Sequence, residues 1–284
     1  RDSRMSANVI SFINLKGGVA KTTTTVGTAE CLACHGKRVL VIDLDPQTNG
    51  TIMMIGEERW KALNDEGHTL ATLFSDAVHK EAKFDLAATL QKNASDVPES
   101  CDRLFLLPSS LDFIQIQDML TNADVRVFGN AGPTLVLRRA VRKILDDYDY
   151  VLIDCPPSLD RITKNGLAIS NGYVIPTIPD ILSTYGIPQV IAGISRFAEE
   201  IGQDIACLGI VATKVDGRST VHQKTLWDLR RNRYAPLFGA QFGLRNAGAA
   251  AAEHSTSMQT FRKKWGKDLA DSFEAFVLEL EAKF

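Results

Sequence analysis

Residues 12–25 restrict the fold more than any other part of the 284-residue chain. A short apolar run, 9–13, is followed by two adjacent glycines, Gly17 and Gly18, and then by apolar residues at helical spacing. A buried strand, a glycine turn and a helix that opens with Lys-Thr are typical of a phosphate-binding loop, because backbone N–H groups and the helix N-terminus converge on an anion. The segment therefore predicts a nucleotide-binding α/β protein. The plain alternative is a glycine turn before a solvated helix.

Two side chains of this segment supply the expected phosphate and metal chemistry. Lys21 would place a positive charge on the β- and γ-phosphates, and Thr22 would place its hydroxyl on Mg²⁺. The remaining predicted nucleotide-binding residues of the loop provide backbone amides or begin the helix: Gly17, Gly18, Val19, Ala20 and Thr23. A regular loop of this type has glycine where this chain has Leu15 and Ala20. At Ala20 the backbone must therefore adopt a φ that an L-residue tolerates.

The same loop contains a second lysine, Lys16, directly before the two glycines. With this lysine, the sequence KGGVAKTTTT (16–25) resembles the deviant Walker A motif of the ParA/MinD family of ATPases. The resemblance implies that Lys16 reaches across a dimer interface to the nucleotide of the second subunit, where it is catalytic together with Lys21. Ala20 departs from the family pattern, which has glycine at this position.

A second apolar strand, predicted at 38–43, ends in the sequence DLDPQ (43–47). A carboxylate at the C-terminal end of a parallel strand lies at the edge where α/β sheets bind ligands. This run resembles the switch I sequence of the same family. The resemblance implies that Asp45 helps to position the attacking water and supports Mg²⁺, which makes it both a catalytic and a metal-site residue.

The third motif is YVLIDCPPS (150–158), an apolar strand that ends in Asp154. A carboxylate in this place can hold Mg²⁺, usually through water, at the C-terminal edge of the sheet. The sequence closely resembles the Walker B form of the family, in which two prolines lead into switch II. A buried strand followed by a proline turn is the alternative interpretation.

Residues near the end of the chain are candidates for contacts with the nucleotide base. Thr213 and Lys214 follow an apolar strand, and Thr213 stands where the guanine-reading N-K-x-D motif has asparagine. The family resemblance places these two residues near the base and favours ATP. Asn246 is a further predicted contact with adenine, although Leu244 replaces the proline that the family has there.

The alternation of strands and helices predicts one doubly wound, mostly parallel sheet with helices on both faces. The expected strands lie at 9–13, 38–43, 104–108, 150–154, 172–177, 205–212 and 236–242. We expect residues 1–7 to form a disordered lead-in and residues 8–284 to form a single ATPase domain. Within this domain, residues 51–100 are predicted to be a variable insertion region to which the sequence assigns no role.

Charge is distributed unevenly along the chain. Residues 214–267 contain eleven Lys or Arg and three acidic residues, a net charge of +8, while the rest of the chain carries −10. This segregation favours a polyanion as partner, and ParA-type dimers bind DNA nonspecifically when they hold ATP. The candidate DNA contacts are Arg218, Arg230, Arg231, Arg233, Lys263 and Lys264. A solvated basic surface is the alternative.

The C-terminal segment argues against the membrane-binding branch of the family. MinD-like proteins end in a basic amphipathic helix, whereas residues 268–284 combine an apolar stripe with mostly acidic residues. Anionic headgroups repel such a helix, so we expect it to pack on the sheet and predict no membrane partner. No apolar run approaches the length of about 18 residues that spans a bilayer, and five cysteines lie scattered in apolar context. A cytoplasmic, nucleoid-associated protein is therefore expected.

The resemblance predicts an ATP-bound sandwich homodimer that binds double-stranded DNA nonspecifically. Weak hydrolysis, stimulated by a ParB-like or adaptor protein, would release it and so drive segregation of plasmid or chromosome DNA. One alternative keeps this cycle but positions a protein cargo on the nucleoid. A second is a biosynthetic ATPase of the same superfamily that does not bind DNA. A third is a regulator that senses nucleotide without hydrolysing it.

Overall fold

The computed structural model describes residues 7–124, 126, 128, 132–232, 234–243, 254 and 258–284. Within these residues the strands form a seven-stranded sheet in the order β3-β2-β4-β1-β5-β6-β7, and neighbouring strands run parallel throughout. The strands are β1 Asn8–Phe12, β2 Val39–Asp43, β3 Leu104–Leu107, β4 Tyr150–Asp154, β5 Gly172–Thr177, β6 Ala206–Val215 and β7 Leu237–Gly243. The predicted doubly wound sheet is confirmed.

Helices cover both faces of this sheet. In chain order they are α1 Lys21–Cys34, α2 Asn49–Ile55, α3 Glu57–Asp65, α4 Leu70–His79, α5 Leu86–Thr89, α6 Pro98–Cys101, α7 Phe113–Asn122, α8 Val136–Val141, α9 Arg161–Leu167, α10 Ile181–Tyr185, α11 Ile187–Ile201, α12 Thr220–Arg231, α13 Phe261–Trp265 and α14 Lys267–Glu281. A 3₁₀ turn, Leu145–Asp147, precedes β4.

The central strands are apolar along their whole length because both of their faces are covered. Every residue of β2 and of β4 is buried. Alternate residues enter two separate cores: Ile10 and Phe12 of β1 pack with α1 and α14, and Val9 packs on the opposite face. The two cores fix the sheet between two helix layers, with the strand ends free to carry polar residues.

Helix α14 packs its apolar stripe against α1 and the sheet, as its sequence predicts. Leu269, Phe273 and Phe276 are buried, and Phe273 fits against Gly27 of α1. A Cβ atom at Gly27 would lie 2.0 Å from Phe273 Cζ, so the close approach requires glycine. Among the described residues, no helix is both long enough and apolar enough to cross a bilayer.

Lys264 of α13 is not available for the DNA contact that its basic neighbourhood suggests, and that prediction is wrong. Its side chain is 0% exposed, and its Nζ lies 2.7 Å from Glu30 Oε1 and 2.6 Å from Asp96 Oδ1. The indole Nε1 of Trp265 donates to the second oxygen of Glu30 at 2.7 Å. Buried charges are tolerated in a protein interior when they are paired and hydrogen-bonded. This lysine therefore neutralises the charges of two buried acids.

Two helices of the chain are short. Helix α5 ends at Thr89, because Gln91 forms an isolated antiparallel bridge with Leu106. Helix α8 ends at Val141. Residues 51–100, predicted as an insertion region, contribute to the core through Met53 and Met54 of α2. Of the predicted lead-in, only Ala7 is described, and it is buried.

Candidate active site

The three sequence motifs meet at the C-terminal edge of the sheet. Strand β4 lies between β1 and β2, and its last residue, Asp154, is in register with Phe12 on one side and with Asp43 on the other. The glycine loop leaves the sheet directly after β1, and the DLDPQ run directly after β2. Parallel order therefore brings the phosphate-binding loop, switch I and the Asp154 carboxylate together, as the sequence predicts.

Hydrogen bonds from buried polar side chains hold the glycine loop in place. Asn14, 1% exposed, donates from Nδ2 to the Pro176 carbonyl at 2.8 Å and accepts from the Lys16 amide at 3.0 Å. From β6, Thr213 Oγ1 donates to the Val19 carbonyl at 2.9 Å. These bonds connect the loop to two neighbouring strands and so preorganise its backbone.

Thr213 and Lys214 were predicted near the nucleotide base, and the structure gives them distinct positions. The buried Thr213 hydroxyl donates a hydrogen bond to the Val19 carbonyl, so this side chain supports the loop. Lys214 lines the pocket above the loop, and its Nζ donates to the Gly18 carbonyl at 2.8 Å. Contact of either residue with a base stays a prediction, and Asn246 lies outside the described residues.

Three of the five described non-glycine residues with positive φ lie around the nucleotide pocket. Ala20 has φ 60° and ψ 33°, the left-handed conformation that the glycine usual at this position adopts without strain. Thr48 and Lys214 are also left-handed, with φ of 58° and 49°. A strained backbone conformation is kept only where the surrounding contacts hold it in place, which is common at ligand sites.

We expect Ala20→Gly to stabilise the protein by about 0.5–1 kcal/mol, as measured by urea unfolding without nucleotide. An L-residue in the left-handed region loses roughly 1–2 kcal/mol, and the greater freedom of glycine in the unfolded chain offsets about half of the gain. The matched control is Ala29→Gly, the same exchange within α1, where glycine should destabilise by about 1 kcal/mol or more. Equal signs for the two variants would contradict the strain argument.

A pocket of about 490 Å³ lies above the loop, large enough for a nucleotide or another small molecule. Its polar wall consists of the loop together with Asp45 and Lys214. Helix α2 supplies an apolar wall through Ile52 and Met53. The motifs did not single out this apolar wall, because α2 belongs to the region where the sequence pattern was weakest.

Lys21 begins α1 with its side chain directed into a buried, acidic setting. The residue is 6% exposed, and its Nζ lies 3.4 Å from the Lys16 carbonyl. Burial lowers the pKa of Lys21, and the nearby Asp154 and Asp45 carboxylates act in the opposite direction. A phosphate group here would provide a further negative charge and favour the ammonium form.

Asp154 is buried and its carboxylate is unsatisfied. Neither of its oxygens has a hydrogen-bond partner among the described residues. Burial raises the pKa of Asp154 well above its ordinary value, Asp43 raises it further, and Thr22 and Lys21 act against the shift. A buried polar group without a partner indicates a missing ligand, and two buried carboxylates beside a threonine hydroxyl suit a hard cation. The residues present therefore fit Mg²⁺ held by Thr22 and Asp154.

Asp43, the neighbour of Asp154 in the sheet, is held by the backbone that follows it. Its Oδ2 accepts from the Thr51 amide at 2.8 Å and from the Thr51 hydroxyl at 2.7 Å, and Oδ1 accepts from the Asp45 amide at 3.1 Å. Burial nevertheless raises the pKa of Asp43 to about 7. Two adjacent strand ends thus carry carboxyl groups whose pKa values are raised by burial.

The raised pKa predicts that the metal-free protein loses stability as pH increases. In the unfolded chain Asp43 ionises near 3.8, and in the folded protein near 7, so its contribution to stability is greatest below pH 4 and declines through pH 7. Asp43→Asn removes this decline. We expect the melting temperatures of wild type and variant to diverge between about pH 4 and 7 without Mg²⁺. Parallel pH profiles would contradict the prediction.

Asp45 lies at the pocket wall, where its carboxylate is oriented by its own turn. Oδ1 accepts from the Gln47 amide at 2.9 Å, and its carbonyl accepts from Ser109 Oγ at 2.7 Å. Burial raises the pKa of Asp45, while Lys21 lowers it. A largely buried carboxylate at the pocket wall, with one fixed oxygen, can accept a proton from a water molecule within the pocket.

Lys16 turns away from the pocket and contacts α10. Its Nζ donates to Ser183 Oγ at 2.8 Å and lies 3.6 Å from Asp180 Oδ1. Beside it, α10 exposes three apolar side chains, Ile181, Leu182 and Tyr185, to 72%, 79% and 77%. The sequence motifs did not indicate Asp180 or Ser183, because nothing in their local pattern relates them to a residue 167 positions away.

The other predicted DNA contacts occupy different surfaces. Arg218 precedes α12, and Arg230 and Arg231 lie at its end; these three side chains are exposed. Lys263 is exposed on α13, which packs with α1 and α14 in the opposite helix layer. Arg233 lies outside the described residues.

A family model described as an AAA domain matches residues 7–207, which include the loop, both acidic motifs and α10. An uncharacterized protein of Mycobacterium tuberculosis is 32% identical over 222 residues, which are 77% of this chain and 62% of that protein. The sporulation initiation inhibitor protein Soj of Bacillus subtilis is 30% identical over 223 residues, 78% of this chain and 79% of Soj. The chromosome-partitioning ATPase Soj of Thermus thermophilus is 33% identical over 228 residues, 80% of this chain and 77% of that protein. The chain thus spans less than two thirds of the M. tuberculosis relative.

Solved structures share the fold over nearly the whole chain. Cobyrinic acid a,c-diamide synthase from Mycobacterium smegmatis, with a bound ATP analogue and magnesium, superimposes with a TM-score of 0.73 at 26% identity, covering 97% of this chain and 94% of the synthase. Apo McdA of Cyanothece superimposes with a TM-score of 0.71 at 18% identity, covering 95% of this chain and 98% of McdA. The likeness to McdA concerns the fold alone.

Proposed function

Because the chain belongs to the ParA/MinD family of ATPases, we propose that it hydrolyses ATP with Mg²⁺ and acts as an ATP-dependent homodimer. The dimer binds DNA nonspecifically, and hydrolysis releases it. In the cell this cycle segregates or positions a cargo. The unsatisfied buried carboxylate of Asp154, the preorganised phosphate loop and the exposed apolar side chains of α10 beside Lys16 support the proposal.

The loop binds the nucleotide through charge and backbone geometry. The amides from Gly17 to Thr23 and the N-terminus of α1 surround the phosphates, and Lys21 neutralises them. Thr22 and Asp154 hold Mg²⁺, which supplies charge neutralisation at the phosphate oxygens. Ile52 and Met53 of α2 cover one wall of the pocket and exclude water from it.

In hydrolysis, a water oxygen forms a bond to the γ-phosphorus while the bond from that phosphorus to the β–γ bridging oxygen breaks. Asp45 orients this water and accepts its proton, and ADP leaves with the bridging oxygen. Negative charge develops on the bridging oxygen, and a cation from outside the protomer stabilises it. Lys16 of the second protomer has this role, comparable to an arginine finger.

The observation that carries the dimer proposal is the position of Lys16. Within its own chain Lys16 Nζ is held by Ser183 and Asp180, so it points away from the Lys21 ammonium of the same loop. It lies beside α10, whose Ile181, Leu182 and Tyr185 are exposed without a described partner. Contiguous exposed apolar residues mark interaction sites, and here they adjoin the proposed trans-acting lysine. A second copy on this face would bury the apolar side chains and recruit Lys16.

This arrangement predicts that the bond from Lys16 to Asp180 restrains dimerisation. We expect Asp180→Asn to increase the ATP-dependent dimer fraction, raising the association constant about two- to thirtyfold. Each partly exposed ion pair contributes about 0.2–1 kcal/mol, and a dimer releases two of them. Asparagine retains the N-cap hydrogen bond that Asp180 Oδ1 accepts from the Ser183 amide at 2.7 Å, so α10 stays intact.

Sizing by light scattering with a nonhydrolysable ATP analogue measures this effect. The matched control is Asp160→Asn, which removes a charge from another helix cap, that of α9. A weaker dimer in Asp180→Asn than in wild type would contradict the restraint and assign Asp180 to the interface itself.

For DNA binding and release, the proposal follows the charge distribution and the family. Arg218, Arg230 and Arg231 are exposed cations of the basic segment and contact phosphates. A ParB-like or adaptor protein stimulates hydrolysis and so ends the DNA-bound state. The cargo is plasmid or chromosome DNA, or a protein assembly carried on the nucleoid by the same cycle.

A second candidate function is a biosynthetic ATPase that does not bind DNA. It is favoured by the similarity to the diamide synthase, the higher of the two TM-scores reported above. In such an enzyme ATP hydrolysis depends on the amount of acceptor substrate. Its mechanism does not require a lysine that is held on the surface of its own protomer. The exposed cations of α12 and the restrained Lys16 favour the first proposal.

One experiment separates the two functions. Binding of the wild-type protein to a duplex of arbitrary sequence is measured with ATP and with ADP across a salt series, together with its mass by light scattering. We expect a dimer that binds DNA with ATP, a monomer with ADP, and affinity that falls steeply with salt. A monomer with both nucleotides and no DNA affinity would overturn the proposal.

A further inference from the structure

The solvent-facing side of α12 carries a tryptophan between basic residues. Trp227 is 54% exposed, whereas Leu226 and Leu229 of the same helix are buried in the core. Large aromatic side chains bury most of their surface when they serve only the fold. A tryptophan left half in solvent is therefore a candidate contact for a ligand outside the described chain.

Helical geometry places this tryptophan on the outermost line of α12. Residues three and seven positions apart share one face of an α-helix, so Lys224, Trp227 and Arg231 form a single row. The row lies opposite Leu226 and Leu229, which hold the helix to the sheet. We refer to Lys224, Trp227 and Arg231 as the α12 row.

Within the row, Arg231 is already oriented. Its Cζ lies 4.2 Å from the centre of the Trp227 ring, a stacked cation–π contact. A stacked guanidinium keeps its N–H groups free at its edge, in the planar fork that fits a phosphate through two hydrogen bonds. The tryptophan thus holds the arginine in a conformation that is ready to bind an oxyanion.

The surroundings of the row are basic. Arg230 lies next to it, and Asp228 is the one acidic residue of α12. Arg218, which precedes the helix, is 94% exposed and is paired with Asp216, its Nε lying 3.2 Å from Asp216 Oδ1. The other half of the basic segment offers fewer free cations among the described residues: Lys264 is buried between two acids, and Arg262 is paired with Asp271 at 2.6 Å. The exposed positive charge of this segment is therefore concentrated near α12.

We propose that the α12 row is the surface through which the ATP-bound protein contacts duplex DNA. Lys224 and Arg231 bind phosphates of one strand, and the Trp227 ring covers the sugar between them. This inference rests on the proposed function, since it assumes that the dimer binds DNA. It adds an aromatic contact, which contributes to affinity without neutralising a phosphate.

The dimensions of the row suit this contact. Seven residues of α-helix rise about 10 Å, and the long Lys224 and Arg231 side chains start near the two ends of this rise. A DNA strand alternates charged phosphates with sugars, whose carbon atoms offer apolar surface. A Lys-Trp-Arg row matches that order of charge, apolar surface and charge.

The test separates the two kinds of contact through the salt dependence of DNA binding. Affinity for a duplex is measured with ATP across a salt series for wild type, Trp227→Ala and Arg231→Gln. Each lost phosphate contact reduces the slope of log K against log salt by about 0.9. We expect Arg231→Gln to show this reduction. Trp227→Ala should weaken binding about tenfold at every salt concentration, because the apolar surface of the ring is no longer buried. The slope should stay unchanged, because no phosphate contact is lost.

Two further variants control for structural effects. Arg196→Gln makes the matched exchange on α11, an exposed helix outside the basic segment, and should bind DNA as wild type does. Trp227→Phe keeps an aromatic ring and should recover most of the affinity lost in Trp227→Ala. Thermal melting of each variant confirms that α12 is folded, which we expect because its core residues are unchanged.

The outcomes distinguish this inference from the function on which it rests. If the wild-type protein does not bind DNA with ATP, the proposed function fails. If the wild type binds and Trp227→Ala and Arg231→Gln match it in affinity and slope, the inference fails while the function stands. An acidic protein partner would then be the occupant of the α12 row.

Discussion

Replacing Asp45 by alanine should reduce ATP hydrolysis at least about 100-fold while leaving ATP bound and the dimer assembled. Loss of a positioned general base lowers rates by about 10²–10⁴-fold. The phosphate contacts come from the loop and from Lys21, which this exchange does not alter. Since hydrolysis ends the dimeric state, the variant should remain a DNA-bound dimer after the wild type has dissociated.

The measurement combines phosphate release with light scattering over the same time course. Asp204→Ala is a suitable control, because Asp204 is exposed between α11 and β6, at the edge of the sheet opposite the site. Hydrolysis at the wild-type rate in Asp45→Ala would remove Asp45 from the mechanism. Loss of ATP binding would instead assign it a role in holding the nucleotide.

Replacing Lys16 by alanine should produce the opposite state, a monomer that binds ATP. We expect nucleotide affinity to stay within about threefold of wild type, because Lys16 Nζ contacts α10 rather than the loop pocket in its own chain. ATP-dependent dimerisation and DNA binding should be lost. Hydrolysis should fall by a factor on the order of 10³, the lower range for a cation supplied in trans.

The control for this variant is Lys37→Ala. The side chains of Lys37 and Lys16 are both 39% exposed, and both form an ion pair, but Lys37 precedes β2 at the opposite edge of the sheet. An ATP-dependent dimer of normal stability in Lys16→Ala would contradict the trans role. The two variants together separate assembly from hydrolysis. Lys16→Ala should remain a monomer that binds ATP, whereas Asp45→Ala should remain a dimer that does not hydrolyse it.

The central part of the fold could be predicted because its signals are local. Apolar strands such as β2 and β4 are continuous in sequence, and a loop with Lys21 and Thr22 between a strand and a helix has few alternatives. Parallel order then brings Asp154 beside the loop without further information. The predicted metal and phosphate residues of these motifs consequently lie around one pocket.

The errors arise where the decisive partner is distant in sequence. Lys264 belongs to a basic run and was predicted to contact DNA, but it is buried in the core, where it forms ion pairs with Glu30 and Asp96. Helix α5 is also limited by a distant partner, because Leu106 bonds to the backbone of Gln91. Tertiary contacts of this type override local propensity, and one sequence does not reveal them.

The same limitation applies to the site. The α2 wall of the pocket, Ile52 and Met53, belongs to a helix whose short, Gly-containing sequence gave no clear period. Asp180 and Ser183 contact Lys16 only because β5 lies beside β1 in the sheet. Strand order is a property of the whole sheet. Contacts that depend on it can therefore be identified only from the three-dimensional structure.

The buried cluster of Lys264, Glu30, Asp96 and Trp265 has a consequence for the order in which the protein matures on the ribosome. Glu30 belongs to α1, the helix that begins at the nucleotide loop, and Lys264 is synthesised 234 residues later. Until that lysine emerges, α1 would have to bury an acid without a counter-charge, which is strongly unfavourable. Complete pairing of the buried Glu30 charge therefore requires a residue that is synthesised long after α1.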